Sequence, residues 1–129
     1  MDELVLIVDD NEKNLKLARD VLRFAGFKTL EASTGGAALV LAAEHRPDVI
    51  LMDVRLPDVN GIEALAQLKD GAATASIPVV ALTALAMKGD RERLLSVGFD
   101  GYLEKPISVR AFPDQVRAFC TEPGRPVSA

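Results

Sequence analysis

Asp9 and Asp10 follow the apolar run LVLIV, Asp53 follows VILM, Thr83 follows VVAL, and Lys105 comes just past GYL. Side chains of these types do chemistry when they meet. Three neighbouring carboxylates repel one another, so such a group either raises a pKa or binds a cation. Carboxylate oxygens suit Mg²⁺, which prefers an octahedral oxygen shell that keeps several waters and accepts phosphate oxygens. Three carboxylates, one divalent cation and the Lys105 ammonium sum to zero charge. That leaves a balanced pocket ready for an anionic phosphoryl group. A carboxylate there can act as a nucleophile on phosphorus and become an aspartyl phosphate. The Thr83 hydroxyl and the Lys105 ammonium would supply the electrostatic help that phosphoryl transfer mainly needs.

The elements that must bring these residues together are legible as five short runs. Leu4–Val8, Lys28–Glu31, Val49–Met52, Val79–Leu82 and Gly101–Leu103 read as strands. Three of them are apolar throughout, the pattern of strands buried on both faces of a parallel sheet. Helical periodicity fills the gaps. Leu15, Ala18, Leu22 and Ala25 form one stripe, ended by Gly26 in the place of a left-handed cap. Further helices are expected from about Ala37 to His45, stopped by Pro47, and near Gly61–Lys69, burying Ile62, Leu65 and Leu68. A fourth runs from about Met87 to Val97, with Gly98 behind it, and the last carries Val109, Phe112, Val116 and Phe119.

Strands alternating with helices imply an α/β fold: a doubly wound parallel sheet with helices on both faces. Right-handed crossovers leave few topologies, and the common five-stranded one is the flavodoxin-like order 2-1-3-4-5. Its crevice lies at the carboxyl ends of strands 1 and 3, where Asp9, Asp10 and Asp53 stand. Singly, each residue has a plainer use. An Asp or Asn after a strand often caps a helix, so Asp10 or Asn11 could serve that purpose, and Asp53 could form a turn ahead of Leu56-Pro57-Asp58. A Thr ending a strand is usually structural and a Lys before Pro usually solvated. All of them at four strand ends that share one edge is a different matter.

In these residues the sequence resembles the receiver domains of response regulators, typified by the chemotaxis receiver. The matching segments are LIVDDNEKN (Leu6–Asn14), RPDVILMDVRLPDVNGIE (Arg46–Glu63), PVVALTA (Pro78–Ala84) and GFDGYLEKPIS (Gly98–Ser108), and the resemblance spans roughly residues 3–119. AMKGD (Ala86–Asp90) with KPIS looks most like single-domain receivers of the cell-division type and receivers appended to hybrid histidine kinases. The resemblance implies that Asp53 is the phosphoacceptor, that Asp10 and Asp53 bind Mg²⁺ directly and that Asp9 binds it through water. It implies that the backbone carbonyl of Arg55 completes the metal site and that Thr83, Ala84 and Lys105 contact the phosphoryl group. It also makes Thr83 the switch hydroxyl, Tyr102 the switch aromatic and Lys105–Pro106 a cis peptide bond, an isomer that proline makes affordable. The implied output surface is helix 4, strand 5 and helix 5, with Arg91, Arg93, Tyr102 and Arg110. The implied partners are a histidine kinase or histidine phosphotransfer protein and a downstream protein target, with the receiver catalysing only its own modification.

Pro113 departs from the expected last helix. It falls several residues past the expected cap Ser108, where a proline removes a donor and clashes with the preceding turn. Either the helix kinks or it begins near Pro113-Asp114, where proline at the first position is welcome. Arg55 and Leu85 stand two positions beyond Asp53 and Thr83, where bulky side chains can shade a phosphoryl group from water. Slow self-dephosphorylation is expected from them.

Composition bounds the rest. With 129 residues and a net charge of -4, the chain suits one domain of residues 1–120 with a flexible tail over 121–129, whose sequence TEPGRPVSA is rich in proline. The tail is too short for an output domain, and Met1 suits a stand-alone protein. A mildly acidic domain argues against direct nucleic-acid binding. One cysteine, Cys120, suits a reducing compartment, and no signal sequence or run of about 20 apolar residues is present. A cytoplasmic protein with no membrane contact, monomeric or weakly dimeric, is expected. Two rivals share part of the pattern. A haloacid-dehalogenase-type phosphatase would need DxD after the first strand, where this chain has Asp9-Asp10-Asn11. A flavodoxin would need a phosphate loop rich in Gly, Ser and Thr, whereas Asp9-Asp10-Asn11-Glu12 repels a phosphate that lacks a bridging metal. A receiver used as a phosphorylation-independent scaffold remains a third reading, opposed by the full set of Asp, Thr and Lys.

Overall fold

The computed structural model describes residues 3–54, 61–83, 88–104 and 107–120; the side chains of 61, 88–91 and 104 fall outside it. Along the chain run β1 (Leu4–Val8), α1 (Glu12–Phe24), β2 (Lys28–Ala32), α2 (Gly35–His45) and β3 (Val49–Asp53). Then come α3 (Gly61–Asp70), β4 (Val79–Thr83), α4 (Lys88–Ser96), β5 (Gly101–Glu104) and α5 (Phe112–Cys120). The strands pair parallel in the order β2-β1-β3-β4-β5, the doubly wound arrangement expected from the sequence.

The apolar strands divide their side chains between two cores, because successive residues point to opposite faces. Leu6, Val8, Ile50, Met52, Val79 and Ala81 pack with Ala38 and Ala42 of α2, Leu65 and Leu68 of α3 and Leu94 of α4. Val5, Ile7, Leu51, Val80, Leu82 and Leu103 pack with Ala18 and Leu22 of α1 and with Phe112 and Val116 of α5. Each fully buried aliphatic side chain stabilises the fold by about 1.5–3 kcal/mol, so neither helical layer is dispensable to a domain that is stable by only about 5–15 kcal/mol.

Element ends show where local chemistry overrode the pattern. Asn11, not Asp10, caps α1: its Oδ1 accepts from the backbone N–H of Lys13 at 3.0 Å and of Asn14 at 3.1 Å. Gly26 then takes φ +100°, the backbone that releases the chain into β2. Of the predicted stripe, Ala18 and Leu22 are buried while Leu15 and Ala25 are only partly so. Helix α2 begins at Gly35, two residues before the predicted start, because the Thr34 hydroxyl accepts from Ala37 N–H at 3.1 Å. Pro47 follows a left-handed Arg46 at φ +47°. In α3, Leu65 and Leu68 are buried and Ile62 packs on the same core.

The last helix corrects the expectation for Val109. The helix begins at Phe112, so Pro113 lies in its first turn, where its missing donor costs nothing. Ser108 caps the turn ahead of it: its carbonyl accepts from Phe112 N–H at 2.8 Å and its hydroxyl from Ala111 N–H at 3.3 Å. Val109 therefore sits outside the helix and is 58% exposed, not on the core stripe. Phe112 and Val116 are buried and Phe119 packs against the same core.

Candidate phosphoryl-acceptor site

Strand register assembles the site. In the parallel β1–β3 ladder Val8 pairs with Met52, so the next residues, Asp9 and Asp53, stand side by side at the carboxyl edge. Asp53 in turn pairs with Leu82, and Thr83 pairs with Glu104. Four of the five strands end one residue later than the runs read from the sequence, because the ladder continues through Ala32, Asp53, Thr83 and Glu104. Asp53 and Thr83 are thus the last strand residues, held by backbone pairing, and not the first residues of loops.

Oxygen atoms of Asp9, Asp10 and Asp53 all lie within 4.8 Å of one another. Asp9 and Asp53 are buried, as is Thr83, whereas Asp10 is exposed at the mouth. Asp9 is anchored twice: its backbone N–H donates to the Ala32 carbonyl at 3.0 Å, and its Oδ1 accepts from Asn11 N–H at 2.9 Å. The second bond links the acidic cluster to the α1 cap, so one two-residue step turns the chain from site to helix. Among the described residues, no buried side-chain nitrogen or oxygen lacks a hydrogen-bond partner. Beside the cluster, Ile7, Asn14, Leu17, Ala18, Leu82 and Ile107 join Asp9 around a cavity of about 40 Å³.

The donor set fits a hard divalent cation. All three side chains offer oxygen only, and Mg²⁺ holds oxygen ligands at about 2.0–2.1 Å, so opposed ligands stand about 4 Å apart. A cluster spanning no more than 4.8 Å is close to that dimension without rearrangement. Softer metals would favour nitrogen or sulfur ligands, which the cluster lacks.

Tyr102, paired with Ala81, is half-buried against the core on the α2, α3 and α4 side. Arg93 is exposed on α4, and Arg110 is exposed in the turn before α5. Helix α4 packs on one core and α5 on the other, so the two helices lie on opposite faces of the sheet. Arg55, Ala84, Leu85, Lys105 and Pro106, and the side chain of Arg91, lie outside the described residues. Asn11 and Ser108, both cap candidates in the sequence, do cap the segments that flank the site, as Asn and Ser before a helix commonly do.

Comparison with known proteins bears on this geometry. Residues 5–117 match the family described as the response regulator receiver domain. The chain is 48% identical over 119 residues to the polar-differentiation response regulator DivK of Brucella anthropi, covering 92% of this chain and 97% of that one. Among solved structures it is similar to the chemotaxis response regulator CheY4 of Vibrio cholerae, with a TM-score of 0.86, 26% identity, and coverage of 92% of this chain and 99% of that one. The receiver domain of a Pseudomonas aeruginosa sensor histidine kinase superposes with a TM-score of 0.84 at 32% identity, covering 93% of this chain and 98% of that one. That domain holds a magnesium ion coordinated in its active site cleft.

Proposed function

Because the chain belongs to the response regulator receiver family of two-component signalling, we propose that Asp53 is its phosphoacceptor. The observation that carries this is the buried Asp53 carboxylate, within 4.8 Å of Asp9 and Asp10, on a strand end adjacent to that of the buried Thr83. A carboxylate oxygen of Asp53 attacks the phosphorus of a partner's phosphohistidine. The new O–P bond forms as the P–N bond breaks, and the imidazole leaves with the bonding pair.

Asp10 and Asp53 would hold Mg²⁺ directly, Asp9 would hold it through water, and the Arg55 carbonyl would complete the protein's share. The cation, when bound, neutralises the charge gathered on the phosphoryl oxygens. Thr83 donates its hydroxyl to one phosphoryl oxygen, Ala84 contributes its backbone there, and Lys105, ahead of a cis Pro106, offers its ammonium to another. Withdrawal of Thr83 toward the phosphoryl group lets Tyr102 turn inward, shifting a two-state equilibrium of the surface bearing Arg91, Arg93 and Arg110.

The donor is a histidine kinase or histidine phosphotransfer protein and the reader of the switched surface is a downstream protein, not nucleic acid. The proposed unit is a cytoplasmic receiver over residues 1–120, monomeric or weakly dimeric, with a flexible tail over 121–129. The likeness to a polar-differentiation response regulator supports a signalling role of this kind. Among the described residues, no helix is long and apolar enough to cross a membrane. The test is Asp53→Asn: the wild type takes an acid-labile label from a phosphodonor and the variant takes none. Full labelling of the variant would sink the assignment.

A further inference from the structure

The far end of the sheet, opposite the acidic site, carries two aspartates that the phosphoryl chemistry does not use. Asp48 stands just before β3. Its backbone N–H donates to the Leu4 carbonyl at 2.8 Å, while its Oδ2 accepts from Leu4 N–H at 2.7 Å. Asp100 stands just before β5 and repeats the arrangement on β4. Its N–H donates to the Val79 carbonyl at 2.8 Å and its Oδ2 accepts from Val79 N–H at 2.8 Å. Lys69 Nζ, from the end of α3, donates to the same Oδ2 at 2.8 Å and to the Ile77 carbonyl at 3.2 Å.

Each aspartate thus closes a two-bond ring across the start of one strand pair, β1–β3 for Asp48 and β4–β5 for Asp100. These are also the pairs whose other ends carry the site: Asp9 beside Asp53, and Thr83 level with Glu104, one residue before Lys105. The strands between are apolar on both faces, as in LVLIV and VVALT. Such strands lack the polar-apolar alternation that normally specifies register. Polar locks at the strand ends must do so instead. A strand rises about 3.3 Å per residue, and a misplacement of about 1 Å can cost phosphoryl chemistry on the order of 100-fold.

We infer that Asp48 and Asp100 are positioning residues for the phosphoryl site, each locking one strand pair from the opposite end of the sheet. Asp48 sets the two strand ends that bear the acidic cluster. Asp100, braced by Lys69, sets the two strand ends at Thr83 and Glu104. The inference rests on the proposed receiver chemistry for its second arm only, since binding of Mg²⁺ alone reads the first.

The two arms predict opposite patterns. Asp48→Ala weakens Mg²⁺ binding, followed by backbone amide shifts in a magnesium titration, by roughly 10-fold, the scale of a sub-ångström misplacement of the ligands. Asp100→Ala leaves Mg²⁺ affinity within about 2-fold and slows phosphorylation by acetyl phosphate at saturating Mg²⁺ on the order of 10-fold. Asp48→Asn and Asp100→Asn keep an oxygen acceptor and restore each property, which separates the lock from the charge. Lys69→Gln, at a half-exposed pair, guards against the alanine variants failing to fold, and slows phosphorylation in the direction of Asp100→Ala. The inference is overturned if both alanine variants lower both properties alike, if either leaves its own property unchanged, or if asparagine does not rescue. Failure of the receiver assignment is a separate result, because the wild type would then take no phosphoryl group.

Discussion

Val8 and Met52 are paired in the parallel β1–β3 ladder, and the residue after each is an aspartate. The acidic site is therefore a property of sheet register: two apolar residues in step deliver two buried carboxylates to one edge. With Asp10 they crowd three negative groups within 4.8 Å, and a cation that binds only the folded state stabilises it.

Magnesium at ten times its dissociation constant should add about 1.4 kcal/mol of stability. For a domain of this size that raises the melting temperature by roughly 3–6 °C. Chelation by EDTA should reverse the shift, and Asp10→Asn should nearly abolish it. Calorimetry with and without Mg²⁺ checks both, and an equal rise in the variant would count against Asp10 as a ligand.

Gly101 lies against the ring of Phe119, which occupies the space that a side chain at 101 would fill. Gly101→Ala should therefore destabilise by about 1–3 kcal/mol, the usual cost of overpacking. Adding Phe119→Ala should recover part of that loss, because the two sites share one contact and are non-additive. Denaturant melts of the two singles and the double measure the coupling. Strict additivity would show that the ring yields freely.

Burial, with the negative charges of Asp48 and Glu3 beside it and Arg117 opposing, pushes the Cys120 thiol up to about 12. Below about pH 9 the thiol is protonated both folded and unfolded, so its contribution is fully present. Between about 9 and 12 only the unfolded chain ionises, and stability falls as pH rises. Cys120→Ala should show a shallower decline over that window than the wild type and a parallel curve below it. At pH 8 a thiol reagent should label the native protein far more slowly than the protein in denaturant.

We propose that Arg55 and Leu85, two residues beyond Asp53 and Thr83 along the chain, shade the phosphoryl group and set its lifetime. Replacing both with alanine should speed dephosphorylation several-fold by admitting in-line water. Loss of label after donor removal measures it. An unchanged decay rate would transfer the control of lifetime elsewhere.

Much of the fold was legible before any coordinates because its signals are local. Runs such as VILM, bounded by helix-forming segments, identify buried parallel strands, and Gly26 and Gly98, at φ +100° and +117°, mark the helix ends. The errors lay at boundaries decided by single hydrogen bonds. Thr34 starts α2 two residues early, and Ser108 with Pro113 delays α5 to Phe112, leaving Val109 exposed. Whether Asp10 or Asn11 capped α1 could not be read from residue type, since both can accept from the same N–H groups. Asp9 settled the matter by accepting from Asn11 N–H.

By itself the sequence determined the identity and chain order of the reactive groups: two aspartates after strand 1, one at strand 3, a threonine at strand 4 and a lysine past strand 5. It determined the parallel α/β class as well, because periodicity and apolar runs are properties of neighbours along the chain. Tertiary structure alone decided that the carboxylates meet within 4.8 Å, that Asp9 and Asp53 are buried while Asp10 is not, and that Asp48 and Asp100 lock the opposite edge. Those facts depend on register between strands tens of residues apart. Apolar strands buried on both faces do not encode it in their own pattern, so the polar contacts at the two ends of the sheet supply it.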